Sequence, residues 1–236
     1  MPLAFWHNGN NGAQTNSLLS LDVQVAIGPW AHVYGSGILD QFTMSHEDDS
    51  TDPQAFGFIV GGTSRLPVGP GYLTGGIEYV YTNKWLYTHK YWLQTPTVTH
   101  RNTAVTRGGY TVRMIGYNQG NDFELLHGSI GYTKPGNYSL TLSYNYGVKG
   151  PYDVFMRLPQ QESSDAPIIH PEGDRKTWTD AVHHQVGLTG SYTMSPSLSV
   201  GIFAYYTHIT NYKHVVGDTL SNLELTLSAS INLTSL

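Results

Sequence analysis

Tyr138-Ser139-Leu140-Thr141-Leu142-Ser143-Tyr144-Asn145-Tyr146-Gly147-Val148 alternates without a break between an apolar or aromatic residue and a small or polar one. A period of two sends successive side chains to opposite faces of an extended strand, so this stretch carries one apolar face and one polar face. The pattern recurs three times. Over 19–27, Leu19, Leu21, Val23, Val25 and Ile27 oppose Ser20, Asp22, Gln24 and Ala26. Over 182–192, Val182, Val186, Leu188 and Tyr192 oppose His183, Gln185, Thr189 and Ser191. Over 223–233, Leu223, Leu225, Leu227, Ala229, Ile231 and Leu233 oppose a wholly polar set. Weaker alternation marks 30–42, 55–65, 72–87, 122–133 and 198–211. Nine strands are therefore predicted, most of them far longer than the about 5 or 6 residues usual in soluble proteins and long enough for the about 9 to 11 that cross a bilayer at a tilt.

Composition points the same way. Charged residues are 12% of the 236, about half the roughly 25% of a soluble domain, while Gly (26) and Tyr (17) are abundant. No run approaches the about 18 apolar residues of a membrane-crossing helix, but a barrel strand needs only alternation. With no cysteine there is no disulfide framework and no thiolate metal site. A net charge of −5 without a basic patch argues against a nucleic-acid partner. The opening Met1-Pro2-Leu3-Ala4-Phe5-Trp6-His7-Asn8-Gly9 is not a signal peptide.

Alternation alone does not say which face is wet, because a soluble barrel turns its apolar residues inward and a membrane barrel turns them to lipid. The connections discriminate. Short links at 28–29, 66–71, 134–136 and 195–197 alternate strictly with long ones at 44–54, 88–121, 150–180 and 212–219, as when short turns face the periplasm and long loops the exterior. The fold predicted is an all-β, antiparallel transmembrane outer-membrane β-barrel. Counting back through nine strands from a periplasmic C-terminus puts residues 1–16 outside, ahead of a barrel portion over 17–236. Complete single-chain barrels have an even strand number and both termini in the periplasm. The chain is accordingly predicted to be the C-terminal half of a larger barrel, with further strands and a signal peptide upstream. Its first and last strands run in the same direction, so an open sheet is expected.

Several stretches resemble the C-terminal half of the Wzi-type capsule-assembly proteins of Gram-negative outer membranes. They are Asn16-Ser17-Leu18-Leu19-Ser20-Leu21-Asp22, Ile38-Leu39-Asp40-Gln41-Phe42, Ile77-Glu78-Tyr79-Val80-Tyr81-Thr82 with Tyr87-Thr88-His89, and Ile115-Gly116-Tyr117-Asn118-Gln119-Gly120-Asn121-Asp122. The resemblance implies half of an 18-stranded barrel and a non-enzymatic, lectin-like hold on capsular polysaccharide.

The loop 88–121 carries Tyr91, Trp92, His100, Arg101, Arg107, Tyr110, Arg113 and Tyr117, preceded by Trp85 and Tyr87. Aromatic faces stack on sugar rings and guanidinium groups fork carboxylates, which makes Trp85, Tyr87, Tyr91, Trp92, Arg101, Arg107, Arg113 and Tyr117 the candidate polysaccharide ligands. The rival account is that these aromatics fold the loop into a lid and join an interfacial girdle. Asp40, Glu78, Glu124 and Glu224 are expected to point into the barrel interior. His183 and His184 adjoin on one strand, face opposite ways and make a poor metal pair. Asp48, Asp49 and Asp180 form no recognised catalytic arrangement, so no enzyme and no cofactor is expected. Partners expected are outer-membrane lipid and surface polysaccharide. Alternatives are a passive porin-like channel, and a soluble β-barrel or sandwich holding a small ligand.

Overall fold

The computed structural model describes residues 18–41, 55–87, 97–101, 110–114, 119–152, 179–195 and 197–231, with only the backbone at 41, 97–101 and 110–114. Nine strands form one sheet: β1 (Leu19–Ile27), β2 (Ala31–Gln41), β3 (Ala55–Val68), β4 (Gly71–Thr82), β7 (Phe123–Lys134), β8 (Tyr138–Lys149), β9 (Ala181–Ser195), β10 (Leu198–Thr210) and β11 (Thr219–Ile231), all antiparallel. Between β4 and β7, β5 (Thr97–Arg101) and β6 (Tyr110–Met114) pair only with each other. The predicted nine-strand antiparallel architecture is thus observed. β1 and β11 are the edges; the sheet is open, and an odd strand count makes its two edges run in the same direction. Among the described residues no helix is long and apolar enough to cross a membrane.

Three of the short links turn on a glycine in the left-handed region, Gly28 (φ 57), Gly69 (φ 57) and Gly136 (φ 70), a conformation that costs glycine little. β4 stops five residues before its predicted end. The cause is local: the Asn83 side-chain oxygen accepts the Trp85 N–H at 2.8 Å and the Asn83 carbonyl accepts the Leu86 N–H at 3.0 Å. An asparagine that satisfies the backbone two residues on makes a turn and ends the ladder. The β5–β6 hairpin lies inside the predicted loop 88–121.

Strand registers align the two faces across the whole sheet. In the centre Ile130, Leu142 and Leu188 lie side by side on one face, and His127, Asn145 and Gln185 on the other. Burial is inverted relative to a soluble protein. Along β8 the large residues Tyr138, Leu140, Leu142, Tyr144 and Tyr146 are exposed, while Ser139, Thr141, Ser143 and Asn145 are half-buried. Such an asymmetry belongs to a sheet curved toward its polar face. The buried hydrophobics Ala55, Val80, Phe123, Ala181 and Ile209 all sit on that polar side, at the long-loop end.

Aromatic rings border the apolar face at both ends. At the long-loop end Phe58 packs with Tyr79 and Tyr81 at centroid distances of 5.9 and 5.5 Å, and Tyr146 with His184 at 5.4 Å. At the short-turn end Tyr132 and Tyr138 meet at 5.9 Å, with Tyr192 paired to Tyr138. Eight residue steps at about 3.4 Å separate Tyr138 from Tyr146 along β8, or roughly 27 Å.

Candidate functional site

Two layers of polar chemistry lie on the concave face. The first is a row that crosses all nine strands in register: Gln24, Tyr34, Gly61, Glu78, His127, Asn145, Gln185, Thr207 and Asn222. Every member except Gly61 carries a hydrogen-bonding side chain. Tyr34 reaches over Gly61 to donate to Glu78 Oε2 at 2.5 Å. Farther along, His127 Nδ1 meets Asn145 Oδ1 at 2.6 Å, Asn145 Nδ2 donates to Gln185 Oε1 at 2.8 Å, and Gln185 Nε2 donates to Thr207 Oγ1 at 3.1 Å. Amides and hydroxyls joined in this way hold one another in fixed directions and leave further donors and acceptors facing the concavity. Asn145→Leu removes the middle of that chain. Half-buried partners are left unsatisfied, and a loss of about 1 to 3 kcal/mol is expected, read as a lower denaturant midpoint.

The second layer caps the row at the long-loop end. Leu86 and Tyr87 are sealed off, packing against Ile38, and Leu86 lies on Gly57 so closely that an added Cβ there would be 2.8 Å from its Cδ2. The Tyr87 N–H donates to the Asp40 carboxylate at 2.8 Å, with Tyr87 in the left-handed region at φ 65. Asn121 Nδ2 donates to the Lys84 carbonyl at 2.5 Å, and Lys149 Nζ to the carbonyls of Asn121 and Tyr152. Trp85 meets Tyr152 edge-on at 5.4 Å, and the Lys84 ammonium lies 5.1 Å from each ring centre. The turn after β4 is thereby tied to the ends of β2, β7 and β8.

Of the candidate ligands, Trp85 is half-buried within this aromatic and cationic cluster. Tyr87 is 2% exposed, its ring enclosed in the cap. Backbone pairing sets Arg101 opposite Tyr110 and Arg113 opposite Val98. Tyr91, Trp92, Arg107 and Tyr117 lie outside the described residues, as do Asp48 and Asp49. Glu78 and Glu224 do face the concave side, and Asp40, at the register irregularity of β2, is buried in the cap beneath the Tyr87 N–H. Glu124 does not: it pairs with Tyr81 and Val148 on the apolar face, where Tyr79 Oη donates to it at 3.3 Å. Phe123 opens β7 on the concave side, so parity turns its neighbour outward, one residue from the strand end and within the aromatic border. His183 and His184 face opposite ways, and His184 Nδ1 meets Tyr144 Oη at 2.8 Å. Among the described residues no cluster of three or more His, Asp or Glu could hold a metal.

No family model, curated protein or solved structure matches this chain.

Asp122 locks the cap. Its carbonyl accepts the Gly150 N–H at 2.8 Å and its carboxylate the Tyr152 N–H at 3.0 Å. Burial pushes its carboxyl up from the ordinary value, and nearby Asp180 adds to this, against the Tyr152 N–H and the Lys149 and Lys84 ammoniums, which pull it down. A raised folded value means the folded chain holds the proton more tightly than the unfolded one. Stability of the cap is therefore greatest at acidic pH and declines as pH rises from the ordinary carboxyl value, about 4, through the raised one. Protection factors at Gly150 and Tyr152, with the intrinsic pH dependence of exchange divided out, should be higher at pH 3 than at pH 7. Asp122→Asn keeps an acceptor and suits the left-handed φ of 51. It should flatten that dependence.

Proposed function

We propose that this sheet forms part of the wall of a Gram-negative outer-membrane β-barrel, apolar face to lipid and polar face to the interior, and that the barrel binds or assembles surface polysaccharide without chemical turnover. One observation carries the membrane half of the reading: the exposed apolar face is bordered by aromatic belts, while its polar back is the less accessible side. In the middle of the sheet, clear of its open edges, Ile130, Leu140 and Leu142 are 56%, 50% and 49% exposed while the polar residues between them on β8 are half-buried. Apolar patches of that extent are rare on soluble monomers. At a strand tilt of about 40°, the 27 Å between belts along β8 becomes roughly 21 Å, close to the about 25 Å apolar band of such barrels. An odd number of further strands between β11 and β1 completes an antiparallel ring.

The polysaccharide half is supported by the amide and hydroxyl row, by Trp85, Tyr152 and Lys84 at the long-loop mouth, by the aromatics and arginines of 88–121, and by the capsule-assembly resemblance. A passive channel is the second reading, favoured by the small number of charges on the concave face. Purified protein is expected to require detergent to stay monodisperse; monodispersity in plain buffer overturns the membrane reading. On a glycan array it should retain surface polysaccharides. Single-channel conductance without any retained polysaccharide decides for the channel.

A further inference from the structure

A hollow of about 510 Å³ opens on the concave face at the short-turn end, away from the cap, lined by Trp30, His32, Thr63, Arg65, Thr74 and Ser129 among others. We infer that it binds the carboxylate-bearing ring of an acidic sugar, a uronic acid residue, with Arg65 as the anion ligand. This deepens the polysaccharide reading by naming the sugar class, and rests on that reading for its biological source.

Arg65 is the only guanidinium in the sheet. Its central carbon stands 3.8 Å above the Tyr72 ring. β3 and β4 place the two on the same face, Arg65 opposite Thr74 and Tyr72 two residues before it. With its central carbon over the ring, the guanidinium keeps its edge of N–H donors free for an acceptor, and such donors can fork a carboxylate. Among the described residues no carboxylate and no hydrogen-bond acceptor takes that edge. An exposed guanidinium that lies over an aromatic ring, and whose edge no acceptor among the described residues takes, can offer that edge to an outside anion.

The rest of the hollow suits a sugar ring. Thr63, Gly76 and Ser129 are neighbours in register; Gly76 puts no side chain of its own on the floor, the Ser129 hydroxyl leans over it and Thr63 turns its methyl toward it. Trp30, 49% exposed, stands at the rim beside the β1–β2 turn. A hydroxyl and a methyl on the floor, an indole at the edge and a guanidinium at one side complement a ring with hydroxyls, apolar C–H faces and one carboxylate. The volume falls within the about 300 to 1,000 Å³ of small-molecule sites.

The test is calorimetry on the full chain in detergent, with trigalacturonate, maltotriose and inorganic phosphate as separate titrants. Trigalacturonate is expected to bind, more weakly as salt rises, and maltotriose and phosphate not. Arg65→Gln should weaken trigalacturonate binding about tenfold or more, the loss of a charge-assisted fork. Gly76→Val fills the floor without touching charge and should do the same; its added Cβ would lie 2.9 Å from a Ser129 hydroxyl that can swing aside. Circular dichroism confirms the sheet in each variant. Unchanged binding in both variants overturns the inference, as does phosphate or maltotriose binding as tightly as trigalacturonate. Loss confined to Arg101→Gln/Arg107→Gln/Arg113→Gln also overturns it, while sustaining a polysaccharide site on the outer loop. No trigalacturonate binding beside retained neutral glycans sinks the acidic-sugar class alone.

Discussion

Replacing Leu142 by arginine is expected to cost about 2 to 4 kcal/mol of folding free energy in a lipid bilayer, whereas arginine at neighbouring Thr141 should cost less than about 1. Leu142 stands four residues from Tyr138 and four from Tyr146, midway between the aromatic belts. Its register partners are Ile130 and Leu188, and it is 49% exposed. Were that exposure to water, an arginine there would be nearly neutral, as most surface substitutions are. In hydrocarbon the guanidinium must be solvated from the greatest possible distance. Thr141 faces the concave side, where an arginine finds water. Urea titration of both variants refolded into vesicles measures the difference, and equal costs at the two positions contradict the lipid-facing assignment.

Gly61→Leu should destabilise the sheet by about 3 kcal/mol. An added Cβ would stand 2.6 Å from Tyr34 Oη and 3.0 Å from the Ile77 carbonyl, and the backbone cannot yield. Overpacking costs about 1 to 3 kcal/mol, and ejecting the phenol from Glu78 removes a hydrogen bond to a charged group. The two contributions separate in a double-mutant cycle. Tyr34→Phe should be costly in the wild-type chain and nearly free once Gly61 is leucine, because the hydroxyl has by then lost its partner. Additive costs would mean that the damage runs through the Ile77 backbone instead.

The strands were legible because alternation is a property of each segment alone. β1 occupies the residues its pattern predicts, and β8 differs by one at its end. β5 and β6 escaped because five residues rich in Thr and Val carry too short a period to separate from loop. Glu124 faces the apolar side and not the interior, because a charge near a strand end says nothing of parity until the first paired residue is known. The polar row was illegible for a related reason. Its members lie at 24, 34, 61, 78, 127, 145, 185, 207 and 222, and only the registers, set by turns such as Gly28-Pro29 and by where each long loop re-enters, bring them level. Tyr87 read as a sugar platform on residue type. Its burial comes from the Asn83 turn that folds 83–87 back over the sheet, a local hydrogen-bond choice with no periodic signature.

The polar row runs at right angles to the strands, and in a tilted wall that direction is not horizontal. Nine strands leave eight gaps of about 4.8 Å, so the row is roughly 38 Å long; at a tilt of about 40° it descends about 25 Å from one end to the other. A chain of sugars lying against it would follow a spiral ramp as tall as the apolar band, meeting a hydrogen-bonding side chain at every strand except β3, where Gly61 stands. Any extended ligand held along that row would share the screw sense of the wall.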